Sequence, residues 1–291
     1  MKKCTKILLA LILSMSYLTT AFAGKSIRVS PDLEIYYDDA GTGRPLIFIT
    51  GWTGTGEFFI PYQLSHFSHK YHTIAYDPRG QGQSSKTLEG NNYVQHGKDL
   101  RAFMDALKLK DAVVVGWSNG CDDAYGYLRS YETNNISAFV CIDEMPRQIA
   151  AQKGDWADFK DVSEIAEFVN ATIYDRRALV NQFVPTMMQR KMTADEIAWA
   201  VDQTQKTPDY VAVLLQVDSI FADYTEEAKK IDGKIPVLYF LSEENAASGK
   251  AWLGKNTPHA ETFVLANHMM FREYPDNFNA ALDAFLAESS K

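Results

Sequence analysis

Hydrophobic positions along the chain follow two alternating patterns. Short continuous apolar runs predict strands that are buried on both faces, and the segments between them carry apolar residues at helical spacing. The predicted strands are residues 33–37, 45–49, 72–76, 112–115, 136–142, 235–241 and 261–265, and the predicted helices are 58–67, 93–107, 121–131 and 276–286. Strands that alternate with helices predict an α/β fold with a mostly parallel sheet and helices on both faces.

This alternation is interrupted once, between residues 146 and 230. No strand-like run occurs there, and apolar residues such as Trp156, Phe168 and Met187 recur at helical spacing. The stretch predicts a helical cap, 146–230, inserted into a core made of residues 24–145 and 231–291.

The first 23 residues have the pattern of a secretory signal peptide. Lysines precede the short apolar run Ile7–Leu13, and Ala21 and Ala23 form a small-x-small cleavage site before Gly24. The run is too short for a membrane-spanning helix, which needs roughly 20 apolar residues. We therefore expect export across the inner membrane to the periplasm, with no stable membrane association after cleavage.

Charge and cysteine content narrow the function classes. The 291-residue chain has a formal net charge of −8, and removal of the lysine-bearing leader makes it more acidic. Such a chain is poorly suited to nucleic acid or anionic membranes. Two of the three cysteines, Cys121 and Cys141, follow the leader in apolar surroundings. They predict two unpaired, small buried side chains, with a single periplasmic disulfide as the alternative, and they imply no disulfide framework.

The strongest chemical motif is Gly116-Trp117-Ser118-Asn119-Gly120. It follows the β-branched run Val113–Val115 and begins a helical segment. A nucleophile at the tip of a tight strand-to-helix turn needs small neighbours two positions away on either side, and this requirement is met by the G-x-S-x-G spacing. The helix start also supplies N–H groups to a developing oxyanion. Ser118 is therefore the predicted nucleophile.

Several motifs in order give the chain a resemblance to the α/β-hydrolase superfamily, in particular its capped esterase, haloperoxidase-like and dehalogenase-like branch. Residues 49–52 (ITGW) resemble the H-G-x turn, with Thr50 where His is usual. Residues 77–84 (DPRGQGQS) resemble the D-x-R-G-x-G-x-S loop, and Asn267-His268 with residues 273–275 (EYP) resemble the G-H…E-x-P ending. The resemblance covers nearly all of the chain after the leader and implies the α/β-hydrolase fold.

The resemblance also implies residue roles. His268 would be the general base that accepts the Ser118 proton and returns it to the leaving group. The backbone N–H groups of Trp52 and Asn119 would form the oxyanion hole.

The acid of the triad departs from the family pattern. Asn245 occupies the position where the family usually places Asp, and an amide cannot stabilise an imidazolium as a carboxylate does. Another branch takes its acid from the end of the preceding strand, which here is Asp143. We predict Asp143 as the acid, with Glu243 or Glu244, and then Glu144, as alternatives.

The predicted function is hydrolysis of a small to medium apolar carboxylic ester or lactone through an acyl-enzyme, with this small molecule as the partner and no cofactor. The alternatives are a non-catalytic ligand-binding protein on a hydrolase scaffold and an acyltransferase. His66, His69 and His72 are three residues apart, but they lie across a helix end and a strand start. We therefore predict no metal site.

Overall fold

The computed structural model describes residues 24–152 and 155–289. The predicted signal peptide, residues 1–23, lies outside the described residues. Its cleavage and the export of the chain therefore stay predictions.

Within the described residues, eight strands form one sheet in the order β1-β2-β4-β3-β5-β6-β7-β8. The pairs β1–β2 and β2–β4 are antiparallel, and the other pairs are parallel. The strands are β1 (Lys25–Ser30), β2 (Leu33–Ala40), β3 (Pro45–Ile49), β4 (His72–Tyr76), β5 (Ala112–Trp117), β6 (Ile136–Ile142), β7 (Val237–Leu241) and β8 (Glu261–Val264). The predicted α/β-hydrolase fold is confirmed.

Helices cover both faces of the sheet. They are α1 (Ser65–Phe67), α2 (Tyr93–Ala106), α3 (Gly120–Tyr131), α4 (Val162–Phe183), α5 (Ala194–Gln205), α6 (Asp209–Phe221), α7 (Thr225–Ile231), α8 (Ala246–Asn256), α9 (Met270–Glu273) and α10 (Pro275–Glu288). The predicted helix 58–67 is broken into a 3₁₀ turn at 56–58, a π-helical turn at 60–64 and α1. Pro61 has no amide hydrogen to donate, and the amides of Gln63 and Leu64 both donate to the Phe59 carbonyl.

The central strands are buried because their side chains alternate between two apolar layers. In β5, Val114 packs into the layer that contains α2 and α3, whereas Val113 and Val115 pack into the layer that contains α10. Every residue of β5 is buried. The turn that contains Ser118 therefore follows a strand that is packed on both faces.

The prediction that the two cysteines are unpaired is wrong. Cys121 in the first turn of α3 and Cys141 near the end of β6 form a disulfide, with their Cα atoms 5.6 Å apart. The pair is 20 residues apart in sequence, so its proximity depends on the parallel packing of β5, α3 and β6. Both side chains are fully buried, as expected.

Helices α4 to α7 occupy the stretch that the sequence predicts as a cap. Helix α4 begins after Asp161, whose side chain caps the helix N-terminus, and α5 begins with a Thr193–Glu196 capping box. No helix among the described residues is long and apolar enough to cross a membrane.

Candidate active site

Ser118 lies at the tip of the turn between β5 and α3. Its φ is +52°, a conformation that is strained for a residue with a side chain. The turn is so tight that it has no room for side chains at Gly116 and Gly120. A Cβ atom on Gly116 would lie 2.5 Å from the Cys121 amide nitrogen, and one on Gly120 would lie 2.4 Å from the Ile49 carbonyl oxygen. The two glycines therefore allow the turn to hold Ser118 out of the sheet.

His268 and Asp143 are brought together from distant parts of the chain. The His268 Nδ1 atom lies 2.9 Å from Asp143 Oδ2, and Asp143 follows the C-terminal end of β6. The second carboxylate oxygen, Oδ1, accepts hydrogen bonds from the Ser242 amide at 2.9 Å and from Asn245 Nδ2 at 3.1 Å. Asn245, at the family's usual acid position, thus binds the carboxylate that contacts the histidine.

These contacts hold Asp143 in its ionised form. Burial raises the pKa of Asp143, but the hydrogen bond and charge of His268, together with the bonds from Ser242 and Asn245, outweigh burial and leave the pKa below its ordinary value. The carboxylate is thus able to orient His268 and to stabilise an imidazolium.

The alternative acids occupy other positions. Glu244 is exposed and lines the cavity above Ser118, and Glu243 is exposed outside that lining. Neither forms a hydrogen bond with His268 among the described contacts. Glu144 is only 4% exposed and contacts Ser118 rather than His268, with Oε2 3.5 Å from Ser118 Oγ. Burial raises the pKa of Glu144 well above its ordinary value, and the nearby carboxylates raise it further.

Trp52 and Asn119 lie beside Ser118 in the turns after β3 and β5. Their backbone N–H groups donate no hydrogen bond to another described residue, which leaves both available to an oxyanion. The β3 turn is held from the other side, since the Thr53 amide donates to Gln81 Oε1 at 2.5 Å. The 77–84 loop therefore supports the turn in which Thr50 replaces the usual His.

A cavity of about 610 Å³ lies above these residues. Its floor is formed by Ser118, Asp143, Glu144 and His268. Its roof is formed by side chains from the predicted cap, namely Asp158, Phe159, Phe168, Phe183 and Gln216. Neither Asp158 nor Gln216 was among the residues that the sequence singled out.

Comparisons with known proteins show what the chain is similar to. Residues 44–179 match the family model of the alpha/beta hydrolase fold. A putative non-heme chloroperoxidase of Synechocystis sp. is 30% identical over 154 residues, which span 53% of this chain and 55% of that protein. The alignment thus covers about half of that relative's length.

Two solved structures share the fold over most of the chain. A bromoperoxidase from Bacillus anthracis has a TM-score of 0.80 and 24% identity, with 91% of this chain and all of that chain covered. An esterase from Exiguobacterium antarcticum has a TM-score of 0.81 and 20% identity over the same shares. The chain therefore has the fold of the α/β-hydrolase superfamily, and the family model matches its residues 44–179. It is similar to proteins that are named as haloperoxidases and esterases.

Proposed function

We propose that the protein is a serine hydrolase that cleaves a small to medium carboxylic ester or lactone through an acyl-enzyme. The observation that carries this proposal is the 2.9 Å contact between His268 Nδ1 and Asp143 Oδ2, on the floor of a cavity that Ser118 also lines. A histidine oriented by a carboxylate, next to a serine at a strained turn, is the arrangement that activates a hydroxyl nucleophile. The apolar side chains of the cavity suit an uncharged acyl group.

The first half of the reaction forms the acyl-enzyme. Ser118 Oγ attacks the carbonyl carbon while His268 Nε2 takes the hydroxyl proton, and Asp143 stabilises the resulting imidazolium. The backbone N–H groups of Trp52 and Asn119 bind the negative oxygen of the tetrahedral intermediate. His268 then donates the proton to the leaving oxygen as the bond from the carbonyl carbon breaks.

The second half releases the acid. A water molecule loses a proton to His268 and attacks the acyl carbon, and Ser118 regains its proton as it leaves. The hydrogen bond that Ser118 makes in this structure goes to Glu144, so Ser118 Oγ has to turn toward His268 in the substrate complex. Such tightening on substrate binding is common in hydrolases.

The test uses an active-site fluorophosphonate and short p-nitrophenyl esters. We expect covalent labelling at Ser118, and we expect Ser118→Ala to lower kcat by about 10⁴-fold or more. The matched control Ser68→Ala, at an exposed serine outside the cavity, should behave as the wild type. Folded protein that is neither labelled nor active on any ester would instead support the ligand-binding alternative.

A second candidate function follows from the names of the relatives. Several of them are called chloroperoxidases, haloperoxidases or bromoperoxidases. In this chain, hydrogen peroxide in place of water would attack the same acyl-enzyme and release a peracid and free Ser118. Peracid formation from a butyrate ester and peroxide, lost in Ser118→Ala, would support it. Diversion of the acyl group to an added alcohol would in the same way support the acyltransferase alternative.

We also propose that the chain folds in an oxidising compartment, as expected for an exported protein. The Cys121–Cys141 disulfide supports this, because disulfides persist mainly outside the cytosol. Periplasmic fractions from the source cells should contain protein that begins at Gly24 and has no free thiol. Protein found in the cytosol with residues 1–23 intact would contradict export.

A further inference from the structure

The charged groups of the cavity are all acidic apart from His268. Four carboxylic side chains line it, and no Lys or Arg does so among the described residues. The Asp143 carboxylate is hydrogen-bonded to His268. Burial raises the pKa of Glu144 well above its ordinary value, which favours its neutral, protonated form. Asp158 and Glu244 are the remaining two.

Asp158 faces the catalytic histidine from the roof. Its side chain is exposed to the cavity and makes no hydrogen bond or ion pair with another described residue. Its pKa is raised to about 6: desolvation is the main cause and the charges of Asp143 and Glu244 add to it, while the charge of His268 opposes it. Asp158 therefore lies close enough to His268, the group that would deliver a proton to the leaving group, and to Glu244 for their charges to interact.

A second polar side chain lines the same cavity without a partner. Gln216 is 3% exposed, and neither Nε2 nor Oε1 of its amide has a hydrogen-bond partner among the described residues. A buried amide without partners destabilises the fold until a ligand supplies them. The amide can turn toward a ligand without breaking an existing hydrogen bond.

The packing of α6 places Gln216 near Asp158. One turn beyond Gln216, Ile220 packs in one apolar cluster with Phe159, the residue after Asp158. On the same face of α6, the Ala212 carbonyl accepts from Trp52 Nε1 at 2.8 Å. Gln216 thus lies between the oxyanion turn and the Asp158 segment.

We propose that the cavity selects substrates whose leaving group carries a protonated amine, with Asp158 and Glu244 as counter-ions and Gln216 as a neutral hydrogen-bond partner. The inference rests on the proposed ester hydrolysis and names its substrate class. Carboxylates that lack a protein cation attract a cationic ligand strongly in a partly enclosed site, and they repel an anionic one. An unpaired amide oxygen beside them accepts an N–H group of the same ligand.

The experiment compares two esters of equal shape. In 2-(dimethylamino)ethyl butyrate the leaving group is cationic at neutral pH, whereas 3-methylbutyl butyrate has CH in place of NH⁺. We expect the wild-type kcat/KM to be about 10- to 100-fold higher for the amine ester. Asp158→Asn and Glu244→Gln should each lower this ratio toward 1.

Glu243→Gln is the matched control, because Glu243 is an exposed neighbour of Glu244 outside the cavity lining. Its ratio should equal that of the wild type. A wild-type ratio of 1 or less would overturn the proposal, as would a ratio that survives both Asp158→Asn and Glu244→Gln.

A binding measurement separates this proposal from the hydrolase proposal. Calorimetry with the Ser118→Ala variant measures the affinity of the cavity for the same two esters without turnover. Tighter binding of the amine ester would support the cation site if the preference is lost when Asp158→Asn is added to Ser118→Ala. This holds even if the wild type hydrolyses neither ester. Equal binding of the two esters would overturn the cation site even if both were hydrolysed.

Discussion

The floor and the roof of the cavity differ in how their polar groups are satisfied. On the floor, both Asp143 oxygens are bound, one by His268 and the other by Ser242 and Asn245, and Ser118 is fixed by a glycine-flanked turn. On the roof, Gln216 and Asp158 have no hydrogen-bond partner among the described residues. The floor thus has its geometry before a ligand arrives, whereas the roof retains hydrogen-bonding capacity for one.

The largest effect is expected when the charge of Asp143 on the cavity floor is removed. Asp143→Asn should keep the shape of the site but lower kcat for a neutral ester by about 10⁴-fold, because the amide cannot stabilise the His268 imidazolium. Steady-state kinetics at neutral pH measure the loss. Glu243→Gln, at an alternative acid, should stay at the wild-type rate. A loss of equal size in Glu244→Gln, with Asp143→Asn active, would assign the acid to Glu244.

A second test uses the contrast between the neighbours Asp143 and Glu144. The pKa of Glu144 is raised, so its contribution to stability is present below its unfolded pKa of about 4.5 and is lost as pH rises toward the folded value. Glu144→Gln stays neutral and should raise Tm at pH 8 but not at pH 4, by about 2–4 °C for each kcal/mol gained. An equal change of Tm at both pH values would show that ionisation of Glu144 does not limit stability.

The pH behaviour of Asp143 has the opposite sign. Its lowered pKa means that its contribution is present above its unfolded pKa of about 3.8 and is lost as pH falls below that value. Two consecutive carboxyl groups at one strand end are therefore expected to stabilise the fold in opposite pH ranges. The difference arises from partners, because Asp143 has a histidine and two donors while Glu144 is buried next to other carboxyl groups.

The smallest effect is expected on the roof. Gln216→Leu replaces an amide without partners by an apolar group of similar size, so it should raise the free energy of unfolding by about 1 kcal/mol. Turnover of the neutral ester should change by less than about twofold. Urea unfolding and ester kinetics measure the two quantities. A destabilisation of more than about 1 kcal/mol would mean that Gln216 has a structural role.

The parts of the site that local sequence signals encode were predictable. The β-branched strand before Ser118 and its flanking glycines specify the turn. Asp143 was predicted from the resemblance to a branch of the family that places its acid at the end of the preceding strand, and the position of strand ends in a parallel sheet agrees with it. The bond from Asn245 to Asp143 was not anticipated, since a missing carboxylate gives no sign of what the amide contacts.

Features that depend on packing between distant segments were not predictable. Gln216 is one of many polar residues in the cap, and only the packing of α6 over Trp52 turns its face to the cavity. The Cys121–Cys141 pair was missed for the same reason, because sequence separation does not report distance in the fold.

The position of that disulfide has a consequence for the denatured chain. Cys121 lies three residues after Ser118, and Cys141 lies two residues before Asp143. When the sheet melts, the cross-link still tethers Ser118 and Asp143 within a few residues of one covalent junction. The effective concentration of these two residues therefore stays high in the unfolded ensemble, and the conformational search that brings them together again starts from a closed loop rather than from an open chain.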